Sequence, residues 1–196
     1  MSPSWWYLSR AGGIVAWALL SASVLWGLLL STRVFDRKPS PEWLTDLHRF
    51  LGGTAVLFVG VHVGSIVADS YVHFGAADVL VPFVTHWHPL AVAWGIVAMW
   101  LMLAVELTSL AMRYLPRRLW HAVHLSSYAL FVSATVHAFA AGPDTRHQVF
   151  ELVCVAVVAV LSFLTLVRVA TGRKKKARRA PAGAGRATTE RESVPV

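Results

Sequence analysis

The chain has 196 residues, enough for one domain and little more. Hydrophobic residues make up 56% of it and charged residues only 14%, whereas a soluble domain is about one quarter charged; this composition excludes an ordinary water-soluble enzyme. The formal net charge is +8, yet residues 171–196 hold eight Lys/Arg against two Glu. Basicity gathered in a tail behind an apolar segment marks a cytoplasmic membrane anchor, not a nucleic-acid-binding face. The single cysteine, Cys154, excludes an internal disulfide framework, a cysteine-ligated Fe–S cluster and a structural zinc knuckle.

Taken in chain order, five apolar segments at about 8–31, 48–69, 89–112, 119–141 and 148–170 are each long enough to cross a bilayer, which takes about 20 helical residues. They predict an all-α integral membrane bundle over residues 1–170, followed by a basic, irregular tail over 171–196. The first segment does not read as a cleavable signal peptide: its apolar run is too long and no small-residue cleavage site follows. Lys/Arg fall in the first loop (Arg33, Arg37, Lys38), the third (Arg113, Arg117, Arg118) and the tail, with none between 70 and 88. That alternation predicts an outer N-terminus and a cytoplasmic C-terminus, in a multi-pass protein of a plasma membrane such as the bacterial inner membrane. Several of the nine tryptophans sit near segment ends, as interfacial rings do. The chain leaves no room for a flavin or nicotinamide domain, and it carries no clear internal repeat.

Ionisable residues inside a bilayer are costly, so nine histidines demand a reason. His48 and His62 lie 14 apart on the second segment, and His124 and His137 lie 13 apart on the fourth. A haem iron takes two axial imidazoles, one on each side of the ring. Two parallel helices, each with two histidines, can therefore hold two haems, His48 with His124 near the cytoplasm and His62 with His137 near the outer face. At 1.5 Å per residue the two levels are about 20 Å apart. Helical phase supports the 14-residue pair better than the 13-residue pair, which on a straight helix points its histidines about 140° apart. A local distortion of the fourth helix, for example a wide turn, or an offset of the ring planes resolves this. Gly52, one turn beyond His48, leaves room for a flat ring, and Ser133, Ala134, Ala140 and Ala141 surround His137 with small side chains. The same small residues also suit plain helix packing.

The stretches LHRFLGGTAVLFVGVHVGS and LWHAVHLSSYALFVSATVHAFAAGPD, with their unequal spacings of 14 and 13, resemble the ferric reductase-like transmembrane domain family. That family takes in ferric reductases, NADPH oxidases and the haem subunit of the bacterial methionine sulfoxide reductase system. The resemblance spans roughly residues 5–170 and extends to SYVHFGAADVLVPF between the two helices. It implies a b-type cytochrome with His48, His62, His124 and His137 as axial ligands, two haems b per chain and electron transfer across the membrane. It also implies an electron donor outside the chain: a flavin-containing reductase, an FMN-binding partner protein, or membrane quinol. The alternative function is a non-redox membrane subunit or haem-binding module that anchors a partner redox protein.

Other residues are weaker candidates. Arg10 and Arg49 suit haem propionates, which are anions in a low-dielectric setting, and equally suit simple interfacial anchoring. His121 lies one turn before His124 and is either a propionate or quinone contact or a solvated helix start. His73, His86 and His88 belong to the outer loop, where two histidines at i, i+2 suit a metal only if a third ligand joins them. Glu106 is expected to pair with Arg113. Phe58 and Phe131 lie between the two histidine levels and are expected to pack. No residue is assigned as an acid, base or nucleophile, and nothing in the sequence fixes an oligomeric state.

Overall fold

The computed structural model describes residues 3–32, 41–69, 73–142 and 147–179. Among them the chain is all helix and turn, with no strand. Helix α1 runs over Pro3–Thr32, α2 over Pro41–Ala68, α3 over Ala76–Leu80, α4 over Pro89–Leu110, α5 over Arg117–Leu125, α6 over Ser127–Ala141 and α7 over Gln148–Arg179. Five stretches are long and apolar enough to span a membrane: Ser4–Ser31, Glu42–Ala68, Pro89–Leu110, Arg117–Ala141 and Gln148–Ala170. These are the five predicted segments, and the protein is a multi-pass, all-α membrane protein.

Three boundaries differ from the sequence reading. Helix α2 begins at Pro41, seven residues before His48, so that histidine lies well inside the helix. Proline is suited to a first helical position, where its missing N–H is no loss, and α4 likewise starts on Pro89. Helix α7 continues to Arg179, so the first part of the basic tail is helical and not irregular; residues 180–196 lie outside the described residues. The fourth span is two helices, because α5 stops at Leu125 and α6 starts at Ser127. The Ser126 hydroxyl donates to the Val123 carbonyl at 2.6 Å, and the Ser126 N–H goes to the same oxygen at 3.0 Å. Such a local bond draws the backbone off the i→i−4 ladder. The predicted distortion is present, as a tight turn and not a wide one.

The helices pack as two antiparallel hairpins. Helix α1 lies along α2 and α4 lies along α6, and these two pairings are by far the most extensive in the fold. Helices α2 and α6 are not among the packed pairs, which leaves a seam between the hairpins. The core joins the hairpins through Trp17, Leu20, Leu28, Ala55, Met102, Leu130 and Phe131, with Cys154 and Leu161 of α7 against it. Trp17 joins the two hairpins: its indole stacks on Phe131 with centroids 6.3 Å apart and donates to Thr135 Oγ1 at 3.1 Å. Trp17→Ala is expected to lower thermal stability in detergent by about 3–5 kcal/mol, the usual cost of truncating a core tryptophan. A melting curve unchanged by that substitution would show that the hairpins hold together without it.

The outer loop is built differently. His73, Phe83 and His88 all adopt positive φ (52°, 68° and 42°) without being glycine. A left-handed residue of this kind costs about 1–3 kcal/mol and persists only where its surroundings hold it. Here Trp100 of α4 donates to the Leu80 carbonyl at 2.9 Å, and Trp87 lies against Phe74 and His88.

Candidate haem site

The four paired histidines meet across the seam. His48 of α2 faces His124 of α5 with ring centroids 6.0 Å apart, and His62 of α2 faces His137 of α6 at 6.1 Å. The planes cross at 70° and 77°. Two imidazoles bound to opposite sides of one metal ion, each with a bond of about 2 Å, put their ring centres about 6 Å apart. The observed spacing is thus the spacing of a shared metal, and it recurs at both levels. Because α5 and α6 are separate helices, a single straight-helix phase does not apply to His124 and His137.

Hydrogen bonds set the histidine tautomers. His62 Nδ1 donates to the Ser9 carbonyl at 2.7 Å, His48 Nδ1 to the Ser23 carbonyl at 3.1 Å, and His137 Nδ1 to the Ala91 carbonyl at 2.8 Å. A carbonyl only accepts, so the proton is on Nδ1 and the Nε2 lone pair is left for a ligand bond. A second hydrogen bond of this type orients metal-binding histidines in general. The Ser9 and Ser23 hydroxyls lie 3.3 Å from the same nitrogens.

Glycines let the supporting helices come close enough to make those bonds. A Cβ on Gly13 would lie 3.0 Å from His62 Nδ1, one on Gly95 would lie 2.7 Å from His137 Nδ1, and one on Gly27 would lie 3.4 Å from His48 Cε1. Each glycine follows its carbonyl by one turn: Ser9 and Gly13, Ser23 and Gly27, Ala91 and Gly95. The sequence reading missed all six residues. Its available signal was Ser-x3-Gly occurring twice on α1, 14 residues apart, the same interval as His48 to His62.

A cavity of about 500 Å³ surrounds the outer pair, within the range of about 300–1,000 Å³ usual for cofactor pockets. Its walls are mainly apolar and include Gly13, Gly95, Ala134 and Ala141, with Arg10 as a cation. Of the other small residues expected around His137, Ser133 is buried and Ala140 is exposed. Among the described residues no three His, Cys, Asp or Glu side chains converge as a metal site. Two facing imidazoles with no further protein donor suit a metal that brings its own equatorial ligands, as a porphyrin iron does. The residues present therefore fit haem.

The remaining candidates fall elsewhere. Arg49 is 67% exposed and pairs with Asp46 at 3.7 Å. The space over Gly52 is taken by the Glu106 carboxylate, which would collide with a Cβ there, so this glycine admits Glu106 and not a flat ring. The expected Glu106–Arg113 pair is not formed among the described residues; the Arg113 guanidinium lies 4.5 Å over the Tyr114 ring. His121 is exposed beside Trp120. His73 and His86 line a small outer cavity with Asp78 and Trp87, and among the described residues no group of three ligands converges there. Phe131 packs on Trp17, as expected, and Phe58 is half-buried.

Fold and site together define a helical membrane protein that holds paired imidazoles in its interior at two levels. The sequence from residue 12 to 135 matches the family described as ferric reductase like transmembrane component, and the chain belongs to that family. No curated protein and no solved structure matches the chain. The matched family is one of membrane electron transfer, and its domains generally bind haem.

Proposed function

We propose that the chain is a di-haem b-type membrane cytochrome that carries electrons between a donor on the cytoplasmic side, or membrane quinol, and an acceptor on the outer side. The observation that carries this reading is the repeated pair of facing imidazoles, 6.0 and 6.1 Å apart, with Nδ1 of three of the four tied to backbone carbonyls. Haem, when bound, supplies a one-electron carrier at each level. The protein's own residues do the rest. His48, His62, His124 and His137 would hold the group through Nε2. Ser9, Ser23 and Ala91 fix the planes of three of those rings. The apolar walls would limit water, and Arg10, which lines the cavity with its guanidinium 4.1 Å over Trp6, would offset the charge of a propionate at the outer level. Arg49 has the same role open to it at the inner level, on giving up Asp46.

The basic loops and tail support an outer N-terminus and a cytoplasmic C-terminus in a plasma membrane of bacterial type. A flavin-containing or FMN-binding protein is a suitable donor, since flavins pass electrons on to one-electron carriers such as haem. Reporter fusions check the orientation: a C-terminal fusion is expected to fluoresce as a cytoplasmic GFP and to be inactive as an exported phosphatase. The reverse pattern overturns the orientation.

The cytochrome itself is tested on protein purified in detergent, by oxidised and dithionite-reduced spectra with haem-per-chain stoichiometry. Two low-spin b haems per chain are expected. No haem, from cells well supplied with it, overturns the reading and leaves an anchoring subunit.

A further inference from the structure

Three buried side-chain polar atoms lack a hydrogen-bond partner among the described residues: His124 Nδ1, Ser109 Oγ and Trp120 Nε1. Two of them are complementary. His124 is the one paired histidine whose Nδ1 finds no carbonyl, and Ser109 is a hydroxyl with nothing to bond. An unmet buried polar group costs about 1–3 kcal/mol, so two such groups on packed helices need an account.

Register supplies one. Helix α4 runs antiparallel to the α5–α6 span, and Ala91 and Gly95 serve His137. Thirteen residues back from His137 is His124, and 14 residues on from Ala91 and Gly95 are Val105 and Ser109. The interval of 14 is the one that relates the two serving sites on α1, and α5 packs on α4. Ser109 therefore stands where the other three sites have glycine. A Cβ at this position would hold α4 farther from the ring than Gly95 does, and His124 Nδ1 makes no hydrogen bond to the Val105 carbonyl. That carbonyl already accepts from Thr108 Oγ1 at 3.2 Å. The residue that denies His124 a backbone acceptor carries a side-chain acceptor in its place.

We infer that Ser109 is the positioning residue of the inner haem ligand: with haem bound, Ser109 Oγ accepts the hydrogen bond of His124 Nδ1–H. The inner site then differs from the other three in using a hydroxyl where they use a main-chain carbonyl. Trp120 is stacked on the His124 ring at 5.0 Å and 23°, which supports the plane of that ring from one side. This inference rests on the haem reading above.

The test uses haem-loaded protein in detergent, with potentiometric titration, low-temperature EPR and the rate of haem loss to an acceptor protein. Ser109→Ala is expected to keep both haems but to loosen the inner one about 10–100-fold, the usual effect of removing such a partner. Its midpoint rises, because an unassisted imidazole is a weaker donor to ferric iron, and its EPR g-values shift. Ser109→Thr retains the hydroxyl and is expected to match wild type. Ser109→Gly lets α4 close on the ring and restores a carbonyl acceptor, so it falls nearer wild type than Ser109→Ala does. A purely structural role gives the opposite order, since alanine suits a helix better than glycine. Two haems in wild type, with Ser109→Ala unchanged in potential, g-values and haem loss, overturn the inference and leave the cytochrome intact. A wild-type protein without haem overturns the cytochrome itself.

Discussion

His62→Ala and His137→Ala are each expected to lower the haem content of the purified protein from two per chain to one, and the double variant is expected to do no more than either alone. The two rings face each other at 6.1 Å and each has its proton held on Nδ1 by a carbonyl of a neighbouring helix. Neither histidine has another ligand to share the work, because no further His, Cys, Asp or Glu converges there among the described residues. With haem bound, loss of either histidine would leave one imidazole to hold the group at this level, in a cavity whose walls are mainly apolar. The remaining haem is low-spin, held by His48 and His124. A double variant that loses both haems would mean that the levels are not independent, and single variants that keep both would remove these residues from the ligand set.

The second large effect concerns residues with no chemistry of their own. Gly95→Ala is expected to displace the outer haem nearly as well as removal of a ligand does. The added Cβ would lie 2.7 Å from both Nδ1 and Cε1 of His137. The ring cannot retreat without giving up its 2.8 Å bond to the Ala91 carbonyl, one turn away on the same helix. Overpacking of this kind costs about 1–3 kcal/mol, which is about 5- to 150-fold in affinity at about 1.4 kcal/mol per factor of ten. The effect is graded across the glycines. Gly13→Ala, with its Cβ 3.0 Å from His62, is expected to weaken the same haem less, and Gly27→Ala, at an ordinary 3.4 Å from His48, is expected to be tolerated. Gly60→Ala and Gly64→Ala meet nothing within 4 Å and are expected to leave haem content unchanged while stiffening α2. Reduced-minus-oxidised spectra of the five variants, normalised to protein, check the order.

Much of this was legible before any coordinates. Long apolar runs announce spans because a bilayer tolerates few alternatives to helix, and the four histidines stood out because charge is costly at that depth. The supporting helices were silent for a physical reason. Their contribution is made by main-chain carbonyls at Ser9, Ser23 and Ala91, which any residue possesses, and only the glycines that permit the approach leave a trace. The turn at Ser126 was similarly hidden, since serine is common inside membrane helices and breaks them only when its hydroxyl turns on its own backbone. The Gly52–Glu106 contact joins α2 to α4, and no spacing within either helix reports it.

The seam between the hairpins has a consequence for how the protein is made. Each hairpin is packed within itself, while α2 faces α5 through the His48–His124 rings and α6 through the His62–His137 rings. Trp17 and the core around it already join the two hairpins, so a group bound between the histidines is expected to tighten a closure that the side chains make themselves. On the haem reading above, chain made in haem-starved cells is expected to be more protease-sensitive than chain made in haem-supplied cells, because a ligand that binds only the folded form stabilises it.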